Sequence, residues 1–293
     1  MKSKLIFILA LVAVCSLADT GRVGRIYWEN DFPFHDDSDY TDGIRLEYEM
    51  RGISFFVQQL MYTPSNVRLP YQEGSHPYGG YLGVGASMEL DSLITHRLYE
   101  LKYFEVHTGT TGPHSGAEWT QKKIHKIVGA HQPVGWDTQI PNEWQIQGVA
   151  FYGYEYILLG KPDRWNLRIS DQFGGHLGTL QIAAENRAML KFGYGNDLNR
   201  HIGNIETRGP KPSSAYYILV GNETKRWFRN VFLDGLRDSP SVDREDWTTA
   251  LKTGLVADTG RFQFGLFALF STREYKTQKN TPNYMSFQIS YGF

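Results

Sequence analysis

The 293-residue chain has a single cysteine, Cys15, and one long apolar run, residues 5–17 at its N-terminus. No other stretch approaches the ~20 apolar residues that a membrane-spanning helix needs, which argues against a polytopic helical membrane protein. Neither sign of charge prevails: 30 Lys and Arg stand against 31 Asp and Glu, a formal net charge of −1. With mean hydropathy at −0.41, both a basic nucleic-acid-binding surface and an acidic disordered chain are disfavoured. The G-x-S-x-G elbow, the H-E-x-x-H zinc motif and the phosphate-cradling P-loop are all missing, which disfavours a serine hydrolase on an α/β fold. In their place are 30 glycines and an aromatic content of 14%, a composition suited to many strands joined by turns.

The N-terminus reads as a secretory leader. Met1-Lys2-Ser3-Lys4 is basic, Leu5 to Leu17 is apolar, and Ser16-Leu17-Ala18 supplies the small residues that precede a cut. The run is short for a single-pass anchor, and Val14 is too large for a lipoprotein cut before Cys15. The expected organisation is a signal peptide over 1–18 and one domain over 19–293, whose mature form holds no disulfide and no thiol nucleophile.

Short-range alternation dominates the rest. Ile44, Leu46, Tyr48 and Met50 fall on one face of an extended segment while Arg45, Glu47 and Glu49 fall on the other. The same period returns in Trp144–Leu159, Trp165–Ser170, Ala215–Val220, Thr249–Ala257 and Phe262–Phe270, separated by Gly, Pro, Asn and Asp clusters. At the C-terminus Met285, Phe287, Ile289, Tyr291 and Phe293 alternate with Ser286, Gln288, Ser290 and Gly292. An apolar-out, polar-in strand of that length is what a tilted transmembrane barrel strand requires, and the terminal aromatic resembles the assembly signal of outer-membrane barrels. A soluble β-sandwich is the competing reading, but it has no need to end on an exposed apolar strand. The fold class expected is therefore all-β, a transmembrane antiparallel barrel, since in lipid a set of strands must close to pair its backbone.

One segment departs from the strand period. Ser115 followed three residues later by Glu118 predicts a capping box, and Ile124, Ile127 and Val128 follow at helical spacing until Gly129. A short helix over 116–128 is expected, with the three apolar residues anchoring it to the barrel. On it Gln121 and His125 share one face and Lys122 and Lys126 the neighbouring one. Near the mature N-terminus Asp31, Asp36, Asp37, Asp39 and Asp42 gather beside Asn30 and Thr41. Hard oxygen donors of this kind suit Ca²⁺ better than a transition metal, although an acidic loop is more often solvated surface, and residues 37–43 fail as an EF-hand.

Three blocks carry a resemblance. Trp28-Glu29-Asn30-Asp31-Phe32, Asp39-Tyr40-Thr41-Asp42-Gly43 and Tyr62-Thr63-Pro64 resemble the opening of the outer-membrane lipid A 3′-O-deacylase family. Gly112-Pro113, Gln121, His125, Ile127, Gly129, Gly135-Trp136-Asp137, Gln139 and Asn142-Glu143 follow that family's order and spacing. The resemblance is dense over residues 27–152 and reduces to barrel strands beyond. It implies a barrel of about twelve strands in the bacterial outer membrane, with a Ca²⁺-dependent site at the outer rim between the wall and a loop helix. The implied reaction removes the 3′-linked acyloxyacyl group of lipid A in lipopolysaccharide. Asn30, Asp31, Thr41, Gln121 and His125 carry over onto the family's site, and Arg68 matches a basic position. Where the best-known members place a site Glu, six residues after the catalytic His, this chain has His131. Asp137 or Glu143 then supplies the carboxylate, or Ca²⁺ is held more weakly.

The chemistry assigned on that basis is water activated by His125 as general base, with Asp31 as metal ligand and Asn30 and Thr41 as ligands or oxyanion donors. Gln121 is the orienting partner, and Arg68, Lys122 and Lys126 are candidates to hold lipid A phosphates. The expected assembly is a monomer with no nucleic-acid partner. A catalytically silent barrel, either channel or structural protein, and an outer-membrane phospholipase are the alternatives.

Overall fold

The structure is a computed structural model that describes residues 22–34, 37–195 and 214–293. The expected leader, Cys15 and Asp36 lie outside those residues. Twelve antiparallel strands close on themselves: β1 (Arg22–Asn30), β2 (Asp39–Met50), β3 (Ile53–Thr63), β4 (Gly79–Glu89), β6 (Leu98–Thr111), β7 (Trp144–Gly160), β8 (Trp165–Gly178), β9 (Gln181–Tyr194), β10 (Ala215–Asn230), β11 (Trp247–Asp258), β12 (Phe262–Ser271) and β13 (Tyr284–Gly292). Each pairs with its sequence neighbours, β1 pairs with β13, and β4 pairs directly with β6 to complete the circle. The short β5 (Ser92–Thr95) is a flap on β6, outside the closed ring. Closure leaves no strand edge unpaired, the condition for a sheet in lipid.

The sequence alternation maps onto the two faces. Phe55, Val57, Val84, Ile169, Phe192, Ile218, Leu255, Leu266 and Phe287 are exposed on the outside. Inside, charged side chains meet across the lumen. Arg25 and Arg45 pair with Glu47 at 2.6 and 2.8 Å, and Arg45 reaches on to Glu105 at 2.9 Å. Further round, Glu155 is held by Arg168 at 2.9 Å and Lys191 at 2.6 Å, and Glu185 by Arg187 at 2.7 Å. Charges buried this deeply are tolerable only when paired, so the pairs specify which strands face each other across the barrel. Trp165, Tyr194, Tyr216, Phe262 and Tyr291 gather near the end where β1 begins and β13 ends, as an interfacial aromatic girdle does.

The two rims differ. At the end where β1 begins and β13 ends the connections are the turns 51–52, 161–164 and 259–261 and the longer 90–97 and 195–214. The opposite end carries 31–38, 64–78, 112–143, 231–246 and 272–283. Most of the long connections lie on one rim, which marks that rim as the outer one. Within 112–143 lies helix α1 (Ala117–Val128), and within 231–246 a single turn, α2 (Val231–Asp234). No helix among the described residues is long and apolar enough to cross a membrane.

Helix α1 matches the expected span to one residue, but its start and its buried face do not match. Ser115 is not its N-cap: it ends a preceding 3₁₀ turn, where its hydroxyl bonds Gly112 O at 2.6 Å and accepts from Ala117 N–H at 3.3 Å. The cap is Gly116, in the left-handed region at φ 70°, a conformation that costs glycine little. The residues turned to the barrel are Ala117, Gln121 and His125, while Ile127 and Val128 are 71% and 68% exposed. The expectation that these two anchor the helix is therefore corrected. The anchor is instead the small pair Gly80 and Ala117: a Cβ on Gly80 would stand 2.4 Å from that of Ala117, so only glycine lets the helix approach the wall so closely.

Candidate active site

A β-bulge builds the first half of the site. Tyr40 pairs with Tyr62 and Asp42 with Met61, so Thr41 is one residue too many for the ladder. The Tyr40 ring stays inside the barrel against Tyr62 and Tyr284, while Asp42 turns to the outer face, where Trp28 Nε1 donates to it at 3.4 Å. Thr41 Oγ1 lies 2.7 Å from Thr63 Oγ1. Asn30, opposite Asp42 at the end of β1, donates through Nδ2 to Thr41 O at 3.1 Å and accepts from Phe32 N–H at 2.9 Å. Asp31 follows, only 2% exposed, with Oδ2 accepting from Ser38 N–H at 2.6 Å.

The second half comes from α1, laid against the outer wall of β3 and β4. Met61, Tyr78, Ala117 and Trp136 form one buried apolar cluster under it. Gln59 Nε2 donates to Ser115 O at 2.7 Å and so ties β3 to the helix start. Trp136 packs on Tyr78 with ring centroids 5.1 Å apart, and its Nε1 donates to Gln121 Oε1 at 2.7 Å. That bond settles which end of the Gln121 amide is oxygen. Gln121 Nε2 is left buried with no hydrogen-bond partner among the described residues.

One turn further on, His125 is held at both ring nitrogens. Nδ1 bonds the backbone carbonyl of His131, and Nε2 lies 2.9 Å from Asp37 Oδ2. The Asp37 contact raises the imidazole pKa above its ordinary value, against the opposing effect of burial. Burial first, and the Asp37 charge second, push the Asp31 carboxyl up to about 8. The arrangement is thus an imidazole bridged by one carboxylate, with a second carboxylate buried nearby.

Asn30, Asp31, Thr41, Gln121 and His125 accordingly meet at one end of the barrel, on its outer side. The three basic candidates do not join them. Lys122 is exposed and paired with Glu118 at 2.5 Å, Lys126 is exposed, and Arg68 is exposed in the connection 64–78, with its backbone N–H on Asn66. Of the acidic cluster, Asp31, Asp37 and Asp42 stay within electrostatic reach of one another, while Asp39 accepts from Tyr275 OH at 2.9 Å, away from the imidazole. Neither carboxylate expected to replace the one absent at position 131 does so. Asp137 is exposed, and Glu143 lies 3.5 Å from Arg237. The carboxylate at the imidazole is Asp37, which only the loop 31–38 could bring there, at a backbone φ of 54°. The His131 side chain is exposed, and it is the backbone of this residue that reaches the site. Among the described residues no three His, Cys, Asp or Glu side chains form a metal-binding group.

Comparison with known proteins agrees with this architecture. The structure is similar to that of LpxR from Salmonella typhimurium, with a TM-score of 0.79 and 21% identity over 92% of this chain and all of the other. The β domain of the Bordetella autotransporter BrkA aligns over 94% of this chain and all of its own at 11% identity, with a TM-score of 0.48. No curated protein sequence matches the chain. The family described as outer membrane protein LpxR matches residues 5–293. With that match across nearly its whole length, the chain belongs to the LpxR family of outer-membrane β-barrels.

Proposed function

We propose that the protein is a lipid A deacylase of the outer membrane, and more narrowly a Ca²⁺-dependent lipid A 3′-O-deacylase. The observation that carries this reading is the position of the His125 imidazole. It lies outside the barrel wall, on the long-loop rim, above the buried Asp31 and beside an unspent amide donor on Gln121. A hydrolytic centre held between the outer wall and α1 stands on the lipid side of the barrel rather than in its lumen. Family membership supports the same substrate class.

His125 serves as general base. The His131 carbonyl accepts from Nδ1–H, which fixes the tautomer and leaves Nε2 to take a proton from water. In the structure Asp37 Oδ2 occupies that side of Nε2 at 2.9 Å, a contact that suits the imidazolium, so the carboxylate must swing aside to admit water, and its charge then stabilises the imidazolium that proton abstraction creates. Gln121 Nε2, held in orientation by Trp136, can donate to the ester oxygen as negative charge builds there.

The donor chemistry fits Ca²⁺, since Asp31, the amide oxygen of Asn30 and the hydroxyl of Thr41 are all hard oxygens and Asp31 is a buried acid with acidic neighbours. These three residues would hold the cation, which when bound would supply positive charge for the developing oxyanion. Lys122, Lys126 and Arg68 stand outside this cluster on exposed surface, where they can meet phosphates of the glycolipid.

The lumenal ion pairs argue against an open channel. Mass spectrometry of lipid A from cells with and without the protein tests the reading. Loss of the 3′-linked acyloxyacyl mass is expected. Unchanged lipid A together with cleaved glycerophospholipid would replace it with a phospholipase.

A further inference from the structure

Helix α1 is amphipathic in the opposite sense to a helix on a soluble protein, which buries its apolar stripe and exposes its charges. Here the face on the protein is Ala117, Gln121 and His125. The face turned away from it holds Trp119 at 64% exposed, Ile127 at 71% and the exposed lysines Lys122, Lys123 and Lys126, with Val128 closing the helix. Lys123 Nζ stands 5.9 Å from the Trp119 ring centroid, so the indole and a cation are presented together.

The helix also stands in a particular place. Ala117 rests on Gly80, on the outer face of β4, and the next outward residues down that strand are Leu82 and Val84, both exposed. The outward face of α1 therefore continues the apolar outer wall at the level where acyl chains give way to phosphate groups. Tryptophan, aliphatic side chains and long lysines are the combination that such an interface accepts, the lysine stems lying along apolar surface with their ammonium groups at the phosphates.

We infer that the outward face of α1 is seated in the outer leaflet, with Trp119 and Ile127 at the acyl–headgroup boundary and Lys123 and Lys126 on the phosphates of anionic lipids. The inference goes beyond the deacylase reading, since it requires only that the barrel sit in a membrane. Because His125 and Gln121 lie on the opposite face of the same helix, the seating also sets the height of the imidazole relative to the leaflet.

The test uses the full-length protein with Cys15→Ser, so that one nitroxide label can be placed at Ile127→Cys or Trp119→Cys. Arg237→Cys, whose native side chain is 70% exposed on the connection 231–246, serves as the aqueous reference. The labelled proteins are reconstituted in nanodiscs of phosphatidylcholine and phosphatidylglycerol. Power saturation then compares access of oxygen, which partitions into lipid, with access of a water-soluble nickel chelate. Labels at 119 and 127 are expected to favour oxygen, the reference to favour the chelate, and Lys123→Glu to shift the label at 127 toward the chelate. Labels on α1 that match the reference would overturn the inference. So would a label at 127 that Lys123→Glu does not move. Two label sites guard against one labelled protein failing to fold, and none of these readouts depends on hydrolysis, so a failed deacylase assignment would leave the result intact.

Discussion

Replacing His125 with alanine is the most informative single perturbation of this site. The imidazole makes two contacts, Nδ1 with the His131 carbonyl and Nε2 with Asp37 at 2.9 Å. What holds the helix lies elsewhere, in the Ala117–Gly80 approach, the Gln59–Ser115 bond and the Trp136–Gln121 bond. The variant should therefore fold, insert and keep its helix. The loss should fall on the chemical step, where general-base assistance contributes about 10²–10⁴ in rate, or about 3–5 kcal/mol of barrier at 1.36 kcal/mol per decade. The assay is single-turnover deacylation of purified lipid A followed by mass spectrometry, with heat-modifiable gel migration reporting the barrel. A residual rate above about a tenth of wild type would refute the assignment, because loss of a positioned base cannot be so mild. Relocating the base to the other histidines of this connection would then need a rearrangement, since the side chains of His114 and His131 are exposed.

Asp31→Ala should abolish turnover with the barrel intact, and excess EGTA should do the same to the wild type; full activity in EGTA would remove Ca²⁺ from the proposal. Asp37→Asn should move the acid limb of the rate profile to lower pH, because Asp37 holds the imidazole above its ordinary value of about 6.5 and activity rises as the base loses its proton; an unmoved limb would show that Asp37 does not act on the base. Trp136→Phe deletes the 2.7 Å bond to Gln121 and leaves a buried amide unsatisfied at a cost of about 1–3 kcal/mol, so faster hydrogen exchange over 117–128 and a slower rate are expected, and neither change would dismiss the bond as a positioning device. Deleting Phe293, which packs on Tyr291 with ring centroids 5.0 Å apart, should lower the yield of inserted barrel, and normal yield would show that the terminal aromatic is dispensable for assembly.

The alternation of side chains by itself determined that this chain forms strands with one apolar and one polar face, because a strand has no other period available. Met285, Phe287, Ile289 and Tyr291 lie on the face that the last nine residues predicted, and Arg45 and Glu47 lie inside as the pattern around Ile44 and Leu46 requires. The helix over 117–128 was legible too, as was the shared face of Gln121 and His125, since both follow from local spacing. Which face of that helix would be buried was not legible. Apolar spacing at Ile124, Ile127 and Val128 points inward for a helix in water, and α1 stands instead on a wall whose outer side is lipid, so the rule reverses. Asp37 could not be told from the other acids near Asp31 by any local signal. Its place at His125 Nε2 arises because the β1–β2 and β6–β7 connections emerge on the same rim once β4 has closed on β6. The carboxylate at the base is thus a property of barrel closure, which brings together residues far apart in the chain that no sequence period relates.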